Sequence, residues 1–381
     1  MASGARDQRS VRLVAVTPLA SIFGSGFLII IPILERTLGA LAAAGMAAVC
    51  AVAWAVGMAV RHNVAVVEPR IADGRLDDVT HHVDRASDLA IALAYVVSIA
   101  LYLRILAHFV VEYVSSGSNT AERIVAIACL AVIVAVGLVR GLDGLEFLDR
   151  VSLTAVLVLV TAIGIAFAVK DVDQLTNGGL YRPPVPDKSL LSVLLTLGGI
   201  VITVQGFETV RYMQERADGP TRIAASRLAQ TIASVVYVGI VLLATPLMGL
   251  GTPAGADADL LSLVERVVPL LALPLVLSAV LSQFSAATAD TEAGVGNLAV
   301  AGWKPLQGRA AYLVIGVPAG VLMATLSTSV IVVVASRAFA FYYALQCVVA
   351  LRTSHRALAR LGYGALGVLM LAITLFATPA Q

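Results

Sequence analysis

Charge is scarce in this 381-residue sequence. Asp, Glu, Lys and Arg together make up 13% of it, against about 25% in soluble domains, which argues against a water-soluble fold. Lysine is nearly missing. Lys170, Lys188 and Lys304 are the only three, leaving 23 arginines among the 26 basic residues, and with so much Ala and Val this points to a GC-rich bacterial coding sequence. A net charge of +2 offers no basic face to a phosphate backbone, so nucleic acid is excluded as a partner. There are three cysteines. Cys50, Cys129 and Cys347 each lie in an apolar run without pairing or metal-ligand spacing, which excludes a disulfide scaffold and leaves them as reduced packing residues. No H-E-x-x-H, no G-x-S-x-G and no protease-like pair of intramembrane aspartates occurs, so an intramembrane enzyme is not expected. Arg6, Arg9 and Arg12 precede a full apolar span with no small-residue cleavage site after it, so the expectation is a chain retained whole rather than one with a cleaved signal peptide.

What is abundant is hydrocarbon. The residues AVILMFWYC reach 59% and mean hydropathy is +0.92, the composition of an all-α polytopic membrane protein. A hydrocarbon core of about 30 Å needs roughly 20 apolar residues per helix. Eleven segments of that kind occur, at 12–34, 39–60, 87–112, 121–139, 147–169, 188–213, 224–249, 268–290, 310–326, 329–350 and 359–378; they are called segments 1 to 11 below. In the region 258–301, Pro269 and Pro274 leave two readings open: one span, or a short outer helix followed by a long eighth span. Placing the N-terminus in the cytoplasm puts 18 basic residues on inner ends and 6 on outer ends, a clear positive-inside bias. The expected location is the bacterial inner membrane, and an odd number of crossings sends Gln381 outside.

Two segments carry internal defects. Segment 1 contains Phe23-Gly24-Ser25-Gly26-Phe27, and segment 6 contains Val204-Gln205-Gly206-Phe207-Glu208. Glycine weakens a helix where no water can satisfy a loosened backbone, and irregular backbone at membrane depth normally lines a cavity. These segments also open two consecutive sets of five. Interrupted helices at matching positions of two halves point to a midplane binding site in a secondary transporter. The expected breaks are residues 23–26 and 204–207.

Gly24-Ser25-Gly26-Phe27 resembles the first-helix G-x-G-[IV]-F pattern of the amino acid, polyamine and organocation (APC) transporter superfamily. Gly206-Phe207-Glu208, followed by Glu215 and Pro220, resembles that superfamily's sixth helix and the approach to its seventh. The resemblance covers residues 12 to about 350. It implies a leucine-transporter-like fold of five-plus-five inverted repeats: a tail at 1–11, a first repeat at 12–170, a second at 188–351 and an additional segment at 359–378. Most members have twelve spans. Some proton-coupled members carry a lysine in helix 5, whereas this sequence has Thr154 and Thr161 but no lysine between Leu148 and Val169.

The site chemistry follows from helix ends. Backbone N–H groups of Gly24, Ser25 and Gly26 at a half-helix N-terminus suit a carboxylate, and carbonyls freed near Val204 and Gln205 suit an ammonium group. Phe23, Phe27 and Phe207 are candidate walls, with Gly206 between. The substrate expected is an α-amino acid or close analogue. No cofactor and no metal is expected; the coupling ion is either a proton or sodium. Glu208, with Arg211 three residues on as a partner, is the first candidate for proton coupling. In sodium-coupled relatives, hydroxyls of helix 8 and carbonyls of helix 1 hold an ion, which nominates Ser285 and Thr288, while back-bonding to the helix is the commoner use of such hydroxyls. Asp290, on a different face of segment 8, is a further coupling candidate. Arg104, His108 and Glu112 share one face of segment 3. Glu35 on segment 1 and Arg337 on segment 10 have opposite signs suited to an outer gate, with Arg104 able to share the carboxylate. The run Asp77, Asp78, His81, His82, Asp84 reads as a solvated cytoplasmic loop rather than a metal site. The leading function is a secondary active transporter working by alternating access; the alternatives are a ligand receptor retaining the transporter fold and an ion channel.

Overall fold

In a computed structural model of the chain, residues 10–24, 28–115, 118–142, 146–248, 260–300 and 308–378 are described. Among these the architecture is helical throughout. Nine helices are long and apolar enough to cross a membrane, and two shorter apolar helices, Ser10–Gly24 and Leu190–Gly199, belong to the broken segments 1 and 6.

The second part of segment 1 is Ile30–Leu38, and Gly39, at φ 52°, lets the chain turn sharply into segment 2, Ala42–His62. Segment 3 is the helix Asp78–Ser115 and segment 4 is Asn119–Arg140, whose N-terminal N–H at Ala121 is met by the Ser118 hydroxyl. Segment 5 runs from Glu146 to Asn177, well beyond the expected 169. Segment 7 begins at Gly219-Pro220 behind an Asp218 cap that accepts from Thr221 N; a proline at the first helical turn removes an N–H that has no intrahelical acceptor. The region 258–301 resolves into the second of its two readings: a short helix, Leu260–Val267, a turn at Pro269–Leu271 and a long helix, Ala272–Val300. Pro269 ends the first helix because it cannot donate to the preceding turn. Segments 9, 10 and 11 are Ala311–Thr325, Thr328–Thr353 and Ala357–Phe376.

The layering follows from burial. The apolar window of segment 3 is 89% buried, against 28% for segment 4 and 11% for segment 11, so segment 3 is the central post and the other two face outward. Segments 8 and 10 pack along segment 3 over most of its length, and segment 11 packs on segment 10. One large apolar core joins the bundle.

The run expected as a cytoplasmic loop at 77–84 is the beginning of segment 3. Asp77 accepts from Thr80 N and Thr80 Oγ1, which caps the helix, and Asp78 to Asp84 form its first turns. The capping geometry, not metal ligation, accounts for the acid at the start of this run.

Candidate functional site

Segment 6 unwinds earlier, and over a longer stretch, than residues 204–207. Its α-helix ends at Gly199, a 3-10 turn follows at Val201–Val204, Gln205 and Gly206 are non-helical, and a second 3-10 stretch covers Phe207–Tyr212. Gly198-Gly199 starts the loosening, and Ser336 Oγ of segment 10 donates to the freed Gly199 carbonyl at 2.6 Å. Gly206 has φ 127°, a conformation that side chains resist. A Cβ there would lie 2.7 Å from Ile22 N and from Ser21 Oγ, so the break presses directly on segment 1. In segment 1 the helix includes Phe23 and Gly24. Ser25, Gly26 and Phe27 lie outside the described residues, and a turn at Leu28-Ile29 leads into the helix Ile30–Leu38. A Cβ on Gly24 would meet Ala286 Cβ of segment 8 at 2.7 Å. Tyr237 OH of segment 7 donates to the Ile22 carbonyl at 2.7 Å and its ring meets Phe23 edge-on at 5.5 Å.

The carboxyl of Glu208 turns back over the break. Oε2 accepts from Gly206 N at 2.9 Å and from Tyr343 OH at 2.8 Å, while Oε1 is buried without a partner. The expected partner, Arg211, goes elsewhere: its Nη2 donates to both oxygens of Asp84 on segment 3, at 3.0 and 3.2 Å. The N–H of Gly206, freed by the break, is the nearer donor for Glu208, and the long arginine stem reaches the N-terminal turns of segment 3. Arg222 then caps the carbonyls of Val210 and Arg211 and pairs with Glu68.

Around this break stand groups that the sequence reading did not single out. On segment 3, Tyr95, Ser98 and Tyr102 form one stripe at i, i+3 and i+7. Gln205 Nε2 donates to Tyr102 OH at 2.9 Å, and Ser98 Oγ donates to the Asp290 carboxylate of segment 8. Asp290 and Glu208 lie within electrostatic reach of one another, and Tyr95 and Tyr102 face both. On segment 10, Tyr343 stacks on Phe207 with ring centroids 5.3 Å apart and planes 13° from parallel; Phe339 and Tyr342 flank it. The hydroxyl of Tyr95 is buried without a hydrogen-bond partner. Val204, Gln205, Gly206, Phe207, Glu208 and Phe23 therefore come together, and Asp290 joins them. The overlooked signal was the hydroxyl stripe in an otherwise apolar segment 3 and the Tyr342-Tyr343 pair in segment 10.

The remaining candidates sit apart from this cluster. Thr288 Oγ1 donates to the Ser285 carbonyl at 2.8 Å, the back-bonding expected of such a hydroxyl, and Ser285 donates to Asp149 of segment 5. Arg104 reaches Glu122 of segment 4 at 3.5 Å and Thr328 Oγ1 at 3.3 Å. His108 joins the same carboxylate at 2.9 Å, whereas Glu112 is exposed. Arg337 donates to the Ala377 carbonyl at 3.1 and 2.6 Å, so it makes no pair with Glu35 in this conformation.

Outside the spans, Asp77 and Asp218 are held below the usual carboxylate range, in each case first by a threonine hydroxyl, Thr80 and Thr221 respectively, and next by that residue's backbone N–H.

Residues 6–377 match the model of a family described as an APC superfamily transporter. The chain is also 33% identical, over 348 residues, to a protein of Aquifex aeolicus (strain VF5) described as an uncharacterized protein; the match covers 90% of this chain and 84% of that one. A polytopic helical bundle, an apolar segment 6 interrupted at its glycines, and a family match across almost the whole length agree: the chain belongs to a family of APC superfamily transporters.

Proposed function

We propose that the protein is a secondary active transporter of a small amino-acid-like substrate, working by alternating access around the place where segments 1 and 6 break, and coupled to protons through Glu208. The observation that carries this reading is the pressing of Gly206 against Ser21 and Ile22 beside a buried carboxyl group that has no basic partner among the described residues. An ionisable group inside a span with hydroxyl partners and no counter-charge is suited to proton uptake and release. Proton coupling is preferred to sodium because the hydroxyls of Ser285 and Thr288 are already engaged. The substrate's ammonium end would lie against Glu208 and the carbonyls near Gln205, with Phe23, Phe207 and Tyr343 as walls. Its carboxylate end falls to Gly24, Ser25 and Gly26. Eleven crossings, a five-plus-five repeat and a cytoplasmic N-terminus in the bacterial inner membrane complete the reading. They are supported by the helix order, the matched breaks and the arginine distribution.

Counterflow in proteoliposomes, with a panel of labelled amino acids over a range of pH, tests it. The wild type should show saturable exchange with at least one of them, and Glu208→Gln should keep exchange while losing its pH dependence. An unaltered pH profile in Glu208→Gln removes the coupling role. Binding without flux would favour a receptor, and flux without counterflow a channel.

A further inference from the structure

Where segments 2, 7 and 11 meet, at the arginine-rich end of the bundle, a cavity of about 550 Å³ opens between Trp54, Met58, Arg61, Ile223, Arg227 and Tyr363. Its chemistry is two-sided. Arg61 is buried, its guanidinium 4.9 Å from the centre of the Trp54 ring, and it is held from behind by Gln230 Oε1 and Ser226 Oγ. Arg227 projects from the turn of segment 7 after Ile223, exposed, and near enough to Arg61 for the two positive charges to repel. Among the described residues no carboxylate pairs with either. Four of the acids at this end are committed elsewhere: Glu68 to Arg222, Asp84 to Arg211, Asp77 to Arg352, and Asp218 to the cap of segment 7. Opposite these bases the walls are apolar and open outward. Met58 is 46% exposed, and Leu358 and Leu361, on the segment 11 turns that lead to Tyr363, are 83% and 72% exposed.

We propose that this cavity binds the phosphodiester headgroup of an anionic phospholipid, with the phosphate between Arg61 and Arg227 and the acyl chains along Met58 and the leucines of segment 11. Two guanidinium groups side by side are stabilised by an anion that accepts from both, and arginine's planar fork suits phosphate. Trp54 and Tyr363 supply the amphipathic rings characteristic of the headgroup level. A free phosphate would match the arginines but leave the outward-facing apolar walls uncovered, so the source is the membrane. Basic pockets between helices at the inner face bind lipid headgroups by this logic.

Native mass spectrometry of the full chain, released from bilayers holding equal phosphatidylglycerol and phosphatidylcholine, tests the site. The wild type should retain phosphatidylglycerol in preference. Arg227→Gln, a change at an exposed side chain, should lower that retention about fivefold, the effect of one basic residue near an anionic surface. Arg182→Gln, at an exposed residue of the 178–189 loop, should leave it unchanged. Equal retention of the two lipids by the wild type, or full retention by Arg227→Gln, overturns the proposal. Displacement of the lipid by inorganic phosphate alone overturns it as well, because the site would then belong to a soluble anion.

Discussion

Two regions of segment 6, three residues apart, treat charge in opposite ways. At its C-terminal end Arg211 is bound by both oxygens of Asp84, and Arg222 of segment 7 beside it by Glu68. At the break, Glu208 and Asp290 meet hydroxyls and an amide N–H but no basic group among the described residues. Each of these pairs ties another element, segment 3 or the short helix Glu68–Ala72, to segment 6 or segment 7. Charges matched in this way hold helices in one arrangement and resist substitution singly. A carboxyl group held only by hydroxyls keeps the freedom to gain a proton or meet a cationic group, which a binding site needs and a structural tie does not.

Breaking the central site through its backbone should have the largest effect. Gly206→Ala places a methyl group 2.7 Å from Ile22 N at a φ of 127°, so segments 1 and 6 must separate. Transport should fall by roughly 10²-fold, the scale of an ångström-sized misplacement, measured as initial uptake per folded protein. Wild-type rates in Gly206→Ala would mean that the contact of the two breaks is unimportant.

Removing one partner of a matched pair should act on stability instead. Arg211→Ala or Asp84→Ala leaves a buried charge uncompensated, at a cost of about 3–5 kcal/mol, and the double substitution should recover part of it. Thermal unfolding in detergent reads this directly. Glu208→Gln in the same assay should shift far less, since it creates no orphaned charge; similar losses in the two regions would erase the distinction drawn between them.

The smallest effect belongs to the exposed pair of Asp77 and Arg352, which are 55% and 41% exposed. The folded protein holds Asp77 below its ordinary range through Thr80 and Arg352. Its contribution is therefore complete at neutral pH and is lost as pH falls below that range. Asp77→Asn should lower the unfolding temperature slightly at neutral pH, with the difference from wild type shrinking in acid. A difference that grows on acidification would reverse the sign of this linkage.

Much of this was legible in one sequence because membrane helices write themselves in hydropathy. Segments 2, 4, 7 and 9 to 11 fall close to the expected places, segment 8 runs on past its expected end at 290 to Val300, and the glycines of segment 6 mark a true interruption. The partners of the break were not legible. Tyr95, Ser98 and Tyr102 look like ordinary residues of an apolar helix until segment 8 brings Asp290 to them, and no local pattern records that a helix 192 residues away in sequence will do so. Arg211 was misassigned for a related reason. Proximity along the chain suggested Glu208, whereas a long side chain on a 3-10 turn reaches a different helix. The acids at 77–84 were read as a loop because capping residues and loop residues share one composition.

The end of segment 11 has a practical bearing. Ala377 is buried, its carbonyl taken by Arg337, and Thr378 N donates to the Leu195 carbonyl just ahead of the break in segment 6, while Thr378 O lies where a side chain on Gly199 would have to go. Residues 377 and 378 are therefore a stitch rather than a tail. Trimming back to Phe376 for crystallisation, or splicing a rigid fusion partner there, would pull on the helix that leads into the central site, so such work is better started from Gln381 or from the other terminus.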